Sequence, residues 1–311
     1  MPSPDPLSGV VADAERGNWV DRYFPQSLKP YARLARWDRP TPLLLLFWPC
    51  AFSLSMAAMA DPARGFDWSA ALLMLVGSVA MRGAGCTLND IIDADLDAQV
   101  ERTRSRPLPS GAVSKRQAAL FLGVQLLVGF VILCQFNALT ITLGVLSLAL
   151  IGIYPFMKRV TWWPQFFLGL AFSWGALLGW TSQIGSLSLA PLVLYLGSIM
   201  WVIGYDTIYA LQDIEDDALV GIKSTARLFG SRVKPVVALF YAAAIVCWIV
   251  AGTLAGGAGI FIPLLVVPVL ILGWQVLTLD PASPPNALMR FRANHWVGLA
   301  LAAAFFLQHL F

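Results

Sequence analysis

The sequence predicts an all-α, polytopic membrane protein with nine transmembrane helices around a central cavity. Composition is the first indication, because 58% of the 311 residues are hydrophobic, only 13% are charged, and the mean hydropathy is +0.70. Soluble domains contain roughly 45–50% apolar and about 25% charged residues. The second indication is that the apolar runs are long and continuous, whereas the strands of a membrane barrel are short and alternate in polarity.

Nine runs have the length that a membrane-spanning helix needs, about 20 residues for roughly 30 Å of hydrocarbon. They lie near residues 41–60, 69–91, 117–136, 138–156, 163–181, 190–212, 234–254, 258–279 and 293–311. The connection near Asn137 is so short that the third and fourth helices must form a hairpin. We expect one membrane domain over residues 29–311, preceded by a flexible cytoplasmic tail at residues 1–28 without a cleavable signal peptide.

The basic residues predict the orientation of these helices. Of the 21 Lys and Arg, 19 lie before the first predicted helix or in the even-numbered connections, and only Arg64 and Arg82 do not. Cytoplasmic loops accumulate Lys and Arg. We therefore expect the N-terminus in the cytoplasm and the C-terminus outside, in the inner membrane of a bacterium. The basic loops suit contact with anionic lipid and phosphorylated ligands, and they give no indication of nucleic-acid binding.

Ten of the 18 acidic residues fall in two short clusters. The first cluster comprises Asp90, Asp93, Asp95, Asp97 and Glu101, and the second comprises Asp206, Asp213, Glu215, Asp216 and Asp217. In the first cluster Asp90, Asp93 and Asp97 are spaced i, i+3 and i+7 and therefore share one face of a helix. In the second cluster Asp206, Asp213 and Asp217 are spaced i, i+7 and i+11, and they share one helix face with Tyr209. A single acidic helix end is more often a solvated cap, and that interpretation stays open for the acids off these faces, Asp95, Glu215 and Asp216.

Both clusters end helices that run inwards, so both are expected at the cytoplasmic boundary, facing each other across the cavity. Facing carboxylates repel unless a cation lies between them, and oxygen ligands without His or Cys favour Mg²⁺. Mg²⁺ is commonly completed by phosphate oxygens of a substrate, which Arg and Lys side chains also bind. Such side chains follow each cluster, namely Arg102, Arg104 and Arg106 after the first, Lys223 and Arg227 after the second. The pattern therefore predicts a site for a diphosphate with a lipidic tail.

The acidic residues also resemble the motifs of a known family. Asn89, Asp90, Asp93 and Asp97 match the NDxxDxxxD motif of the UbiA superfamily of membrane prenyltransferases, and Asp213 and Asp217 match its DxxxD motif. Five further segments resemble sequences of the same superfamily, namely RLARWDRP (33–40), RTRSRPLPSG (102–111), YPFMKRVTWWPQ (154–165), YDTIYALQDIEDD (205–217) and GIKSTA (221–226). Within the superfamily these blocks are most similar to the 4-hydroxybenzoate polyprenyltransferases of ubiquinone biosynthesis. One departure is Pro42, where relatives usually have Gly.

The resemblance implies a nine-helix bundle whose cavity opens to the cytoplasm and to lipid. It implies Mg²⁺-dependent transfer of a polyprenyl group from polyprenyl diphosphate to the ring carbon ortho to the hydroxyl of 4-hydroxybenzoate, with release of diphosphate. The metal ligands would be Asn89, Asp90, Asp93, Asp97, Asp213 and Asp217, and of these the catalytic residues would be Asp93, Asp97, Asp213 and Asp217. The substrate-binding residues would be Arg102, Arg106 and Lys223 on the diphosphate, Arg159 on the acceptor carboxylate, and Tyr154, Lys158 and Asp206 nearby.

Three alternatives remain at this point. An ion-coupled transporter also has intramembrane acids, but these normally lie at the bilayer midplane beside broken helices, and not beside basic loops. A structural membrane subunit would give no reason for two acidic faces on one side. Within the family, haem, chlorophyllide, homogentisate or naphthoate could replace 4-hydroxybenzoate as the acceptor, because such relatives share the acidic motifs.

Overall fold

The computed structural model describes residues 17–99, 103–214, 218 and 221–310. Within these ranges the regular structure is entirely helical, which confirms the all-α prediction. The α-helices are α1 (Trp19–Tyr23), α2 (Lys29–Leu34), α3 (Thr41–Ala60), α4 (Trp68–Asp97), α5 (Lys115–Leu133), α6 (Ala138–Val160), α7 (Pro164–Ser173), α8 (Gly175–Ile184), α9 (Leu189–Ala210), α10 (Thr225–Phe229), α11 (Val233–Leu254), α12 (Phe261–Leu264), α13 (Val266–Thr278) and α14 (Pro284–Leu310). Short 3-10 helices occur at Leu211–Asp213 and Gly230–Arg232.

In the described part of the chain, seven helical segments are long and apolar enough to cross a membrane. They are Thr41–Ala60, Trp68–Asp97, Lys115–Leu133, Ala138–Val160, Leu189–Asp213, Thr225–Leu254 and Phe261–Thr278. The chain therefore has the helices of an integral membrane protein, but the predicted count of nine is not confirmed. The predicted helix at 163–181 is divided into α7 and α8 at Trp174, and the one at 293–311 lies in α14, where Asn294 and His295 lower the hydropathy.

The chain forms two compact units. Unit 1 comprises Met1–Leu44 and Leu75–Gln135, and unit 2 comprises Leu45–Met74 and Phe136–Phe311. The segment predicted as a tail contains α1, whose Trp19 Nε1 donates to the carbonyl of Trp37 at 2.6 Å, while residues 1–16 lie outside the described residues. The prediction of one domain over 29–311 stays a prediction.

Unit 1 is held together by a small apolar core at the carboxyl end of α4. Its buried members are Leu34, Ala94, Leu108, Val113 and Ala118, and Tyr31, Ile91 and Phe121 pack against them. These residues come from α2, α4, the loop after α4, and α5. The helix α5 begins with a capping box, in which Ser114 accepts from the backbone N–H of Gln117 and donates its own to the Gln117 side chain. The core therefore fixes both the chain before α3 and the loop after α4 against the acidic end of α4.

Unit 2 is built around α9, which packs against α7, α8, α11 and α14. A buried polar network joins four of its helices. The indole N–H of Trp201 donates to Asn294 Oδ1 at 2.8 Å, and Asn294 Nδ2 donates to Gln275 Oε1 at 3.0 Å. The Tyr241 hydroxyl donates to the same Gln275 oxygen at 2.9 Å. Because polar groups in apolar surroundings are costly unless paired, this network fixes α9 relative to α11, α13 and α14.

Small residues bring α8 against α3 inside unit 2. The Ser53 hydroxyl donates to the carbonyl of Gly175 at 3.0 Å. A Cβ atom at Gly179 would lie 2.7 Å from the carbonyl oxygen of Cys50 and would press against Ser53 Oγ. Such close backbone approach is the usual role of small residues between membrane helices.

We expect Gly179→Ala to lower the free energy of unfolding by about 1–3 kcal/mol, the usual cost of overpacking. The reason is that the carbonyl of Cys50, a backbone atom, cannot move aside as a side chain can. Thermal or denaturant unfolding in detergent measures the effect. The matched control is Gly123→Ala in α5, where no atom lies within 4 Å of an added Cβ. Equal stability of the two variants would contradict this account of the α3–α8 contact.

Candidate active site

The last turns of α4 carry three buried carboxylates. Asp90, Asp93 and Asp97 are 1%, 2% and 8% exposed. Asp95 points away from them and makes an exposed ion pair with Lys115 at 3.1 Å. This is the arrangement that helical spacing predicts, because α4 continues as a regular helix to Asp97. Buried charges require nearby partners.

Two arginines from different parts of unit 1 supply partners for Asp90 and Asp97. Arg36 Nη2 donates to Asp90 Oδ1 at 2.7 Å. Arg106 Nη1 donates to Asp97 Oδ2 at 2.7 Å and lies 3.7 Å from Asp90 Oδ1. Charge-assisted pairs of this length are among the stronger hydrogen bonds in proteins. The sequence motifs predict a role for Arg106 but none for Arg36, although Arg36 lies within the RLARWDRP block.

The loop after α4 places Arg106 by its own hydrogen bonds. Thr103 Oγ1 donates to the carbonyl of Asp97 at 2.8 Å, and the N–H of Arg106 donates to the carbonyl of Thr103 at 2.9 Å. Gly111, with φ +77°, ends the turn, and Leu108 and Val113 anchor the loop in the core of unit 1. The loop thereby returns to the helix end it has just left. Arg102, predicted to bind diphosphate, lies outside the described residues.

The donor atoms at the end of α4 are of the type that Mg²⁺ binds. Asp90 Oδ2 is buried and has no hydrogen-bond partner among the described residues. Asn89, one residue earlier, is half-buried and offers an amide oxygen. No group of three His, Cys, Asp or Glu side chains is placed to hold a metal within the ranges that the structure describes, which do not include Asp217. The oxygen donors at the end of α4 therefore fit a hard cation such as Mg²⁺, which usually takes its remaining ligands from water and from substrate phosphate.

The second acidic cluster lies at the end of α9 in unit 2. Asp206 and Tyr209 are half-buried, and the Tyr209 ring packs against Phe291 with centroids 4.6 Å apart. The α-helix ends at Ala210 and tightens into the 3-10 turn that contains Asp213. The predicted α-helical face therefore does not continue unchanged to Asp213, because a 3-10 turn has three residues where an α-turn has 3.6.

The segment after this cluster is attached to the carboxyl end of α6. The N–H of Lys223 donates to the carbonyl of Lys158 at 2.9 Å, and Lys223 Nζ donates to the carbonyl of Val160 at 3.1 Å. A cation at this place interacts favourably with the helix dipole. Tyr154 and Lys158 are half-buried in the last turns of α6, and Arg159 is exposed. Lys223 therefore lies beside the residues predicted to bind the acceptor.

Two further residues, which the sequence analysis did not predict, hold this segment in place. The N–H of Thr225 donates to Gln165 Oε1 on α7 at 3.0 Å, and the hydroxyls of Thr225 and Thr207 on α9 are 2.6 Å apart. Ser224 accepts from the N–H of Arg227 and so caps α10. Thr225 and Gln165 are both buried, so neither hydrogen bond competes with bulk water.

The comparison of sequences identifies a family and a close relative. Residues 46–304 match the UbiA prenyltransferase family. The chain is 46% identical over 296 residues to a protein of Drosophila pseudoobscura pseudoobscura named 4-hydroxybenzoate polyprenyltransferase, mitochondrial, and this match covers 95% of the chain and 74% of the relative.

Solved structures show the same fold. The apo structure of a UbiA homolog from Aeropyrum pernix K1 has a TM-score of 0.70 and 26% sequence identity, over 84% of this chain and 97% of that one. A UbiA homolog from Archaeoglobus fulgidus bound to GPP and Mg²⁺ has a TM-score of 0.66 and 19% identity, over 91% of this chain and 100% of that one. At 19% identity the likeness shows the fold alone.

Proposed function

The chain belongs to the UbiA prenyltransferase family, and on that premise we propose that it transfers a polyprenyl group from polyprenyl diphosphate to 4-hydroxybenzoate. The new bond forms at the ring carbon ortho to the hydroxyl, and diphosphate leaves. This reaction belongs to ubiquinone biosynthesis. The observation that carries the proposal is the buried acidic end of α4, where two of three buried carboxylates, Asp90 and Asp97, pair with two guanidinium groups at the end of an apolar helix.

The choice of acceptor is supported by the relative from Drosophila pseudoobscura pseudoobscura. That protein is named for 4-hydroxybenzoate, and it is 46% identical to this chain along most of both sequences. Identity at this level favours 4-hydroxybenzoate over haem, homogentisate or naphthoate. We place its carboxylate at the end of α6, where Arg159 is exposed and Lys158 and Tyr154 lie within two turns.

We assign a metal-binding role to both acidic motifs. Asn89, Asp90, Asp93 and Asp97 would bind Mg²⁺ at the end of α4, and we assign Mg²⁺ binding to Asp213 and Asp217 after α9 as well. When bound, Mg²⁺ neutralises negative charge on the diphosphate. A UbiA homolog of the same fold, from Archaeoglobus fulgidus, is bound to GPP and Mg²⁺, and the assignment of Mg²⁺ to these residues is our proposal. Every donor is an oxygen ligand, as Mg²⁺ prefers.

The basic residues stabilise the leaving diphosphate. Arg106 already lies between Asp90 and Asp97, so its guanidinium can exchange a carboxylate for a diphosphate oxygen by a small movement. We also assign Arg102 and Lys223 to the diphosphate, whereas Asp206, an acid, is proposed to bind substrate without contacting the diphosphate. Positive charge that is already in place lowers the barrier, because its electrostatic attraction to the diphosphate grows as the C–O bond breaks and negative charge accumulates on the leaving group.

The bond changes balance without a further reagent. The allylic C–O bond breaks and its electron pair leaves with the diphosphate. The ring carbon ortho to the hydroxyl then supplies the electron pair of the new C–C bond, and transfer of the ring proton to a base, for which the released diphosphate is available, restores aromaticity. Apolar helices exclude the water that would otherwise capture the allylic cation.

Product analysis tests the proposal directly. Purified protein in detergent is incubated with Mg²⁺, 4-hydroxybenzoate and polyprenyl diphosphates of increasing length, and products are identified by mass spectrometry. We expect 4-hydroxybenzoate carrying one prenyl group ortho to the hydroxyl. Prenylation of another aromatic acceptor, with none of 4-hydroxybenzoate, would overturn the choice of acceptor.

We expect Asp93→Ala and Asp213→Ala to reduce product formation by about 10²-fold or more, because each removes charge that holds the metal and its diphosphate. The measurement is initial rate at limiting Mg²⁺ on protein that elutes as wild type from size exclusion. The control is Asp95→Asn, whose side chain is exposed. Wild-type turnover in either Ala variant would refute its metal-binding role.

We expect Arg159→Ala to raise the apparent KM for 4-hydroxybenzoate by roughly tenfold or more and to leave the KM for the polyprenyl diphosphate unchanged. A charge-assisted hydrogen bond to a carboxylate has about this worth. Steady-state kinetics with each substrate varied in turn measures both constants. Arg232→Ala, at another exposed arginine of unit 2, is the control. An unchanged requirement for the acceptor would remove Arg159 from its site.

We also propose that the N-terminus is cytoplasmic and the C-terminus external, in the inner membrane of a bacterium, although the named relative is mitochondrial. Cys134 is exposed between α5 and α6, a connection that this orientation places outside. A membrane-impermeant maleimide should therefore label intact bacterial spheroplasts, and Cys134→Ser should abolish the labelling. Labelling of Cys134 only after permeabilisation would contradict the orientation.

A further inference from the structure

We propose that Arg36, which lies outside both acidic motifs, is a positioning residue that holds Asp90 in the orientation required for metal binding. The inference rests on the proposed function, since it concerns the metal site assigned there. Arg36 comes from the segment after α2 and meets Asp90 across 54 residues of sequence. Its role differs from that of Arg106, which we assign to the diphosphate.

The contact with Arg36 makes the two carboxylate oxygens of Asp90 different from each other, because only one of them accepts a hydrogen bond from the described residues. Oδ1 accepts from Arg36 Nη2 at 2.7 Å, while Oδ2 is buried without a hydrogen-bond partner in the described part of the chain. Both side chains are almost inaccessible, at 8% for Arg36 and 1% for Asp90. One oxygen is therefore fixed by the protein, and the other is left with a lone-pair direction that a cation can use. Such supporting contacts are known to tune metal ligands.

The backbone at Arg36 is the second observation. Arg36 has φ +59°, and no other non-glycine residue of the described ranges has positive φ. It follows the C-cap of α2, Ala35, at a position where glycine is the usual residue because it has no Cβ penalty. The N–H of Trp37 donates to the carbonyl of Ala32 at 2.9 Å, which completes this helix end. An arginine at a place that favours glycine indicates that its side chain makes a contact that offsets the unfavourable conformation.

The guanidinium group is also held from its other side. Arg36 Nη1 donates to the carbonyl of Arg33 at 3.0 Å, so the side chain bridges the end of α2 and Asp90. Leu34 anchors α2 in the core of unit 1, and Trp37 packs edge-on against Phe121 at 6.4 Å. The Arg36 side chain is less exposed than that of Arg106, at 8% against 18%. Arg36 is thus the fixed cation and Arg106 the one able to move.

The test measures metal binding without turnover. Mn²⁺, which takes the same oxygen ligands as Mg²⁺, is titrated into the purified protein in detergent and free Mn²⁺ is followed by electron paramagnetic resonance. We expect Arg36→Gly to weaken Mn²⁺ binding by about tenfold or more, the usual effect of removing a residue that orients a metal ligand. The half-saturating Mg²⁺ concentration for product formation should rise by the same factor, with an unchanged KM for 4-hydroxybenzoate.

Arg36→Gly suits this purpose because glycine adopts the required φ freely, so the substitution removes the side chain and keeps the helix end. Arg36→Lys keeps the charge but not the planar fork and should give a smaller loss; it carries the test if the glycine variant does not fold. Arg33→Gln is the matched control. It removes the ion pair, at 2.9 Å, between Arg33 on α2 and Asp21 on α1, but leaves the carbonyl of Arg33 that Arg36 uses.

The outcomes separate the two proposals. Unchanged Mn²⁺ affinity in both Arg36 variants, with a lowered melting temperature, would assign Arg36 a purely structural role and overturn the inference. In that case Asp93→Ala, titrated in parallel, should still lose Mn²⁺ binding, which leaves the proposed function intact. Wild-type Mn²⁺ binding in Asp93→Ala would instead remove the metal site on which both proposals depend.

Discussion

The pairing of buried carboxylates with a buried guanidinium group, that of Arg36, and a half-buried one, that of Arg106, governs the structure of unit 1. A charge moved from water into apolar surroundings loses several kcal/mol of solvation, and only close partners of opposite sign offset that loss. The end of α4 carries three such carboxylates, and the chain before α3 and the loop after α4 both bring an arginine to them. The apolar core of unit 1 lies directly beneath these two segments. Its packing therefore determines where the charges are.

Several features of the fold and the site could be predicted from the sequence because they depend on local spacing. The long apolar runs determine helices, and i, i+3 and i+7 spacing placed Asp90, Asp93 and Asp97 on one buried face because α4 is regular up to its last residue. The same reasoning fails after Ala210, where the helix tightens. It also fails at Trp174, where the N–H donates to the carbonyl of Ala171 at 3.4 Å and the indole donates to Leu143 on α6.

Contacts between distant segments could not be predicted in this way. Arg36 meets Asp90 across 54 residues, and Lys223 meets Val160 across 63. Periodicity within a helix carries no information about which loop will reach its end. The single local signal at Arg36 is an arginine where a helix end favours glycine, and that becomes visible only once the helix boundary is known. Thr225 and Gln165 were missed for the same reason.

The position of α9 has a consequence for motion. The helix carries Asp206 near one end, and Trp201, little more than one turn away, is tied through Asn294 and Gln275 to three neighbouring helices. Turning α9 enough to reorient Asp206 would break these buried hydrogen bonds together, with no water available to replace them. The helix is therefore held in one orientation, so Asp206 can adjust by rotation about its own side-chain bonds while the backbone of α9 stays in place.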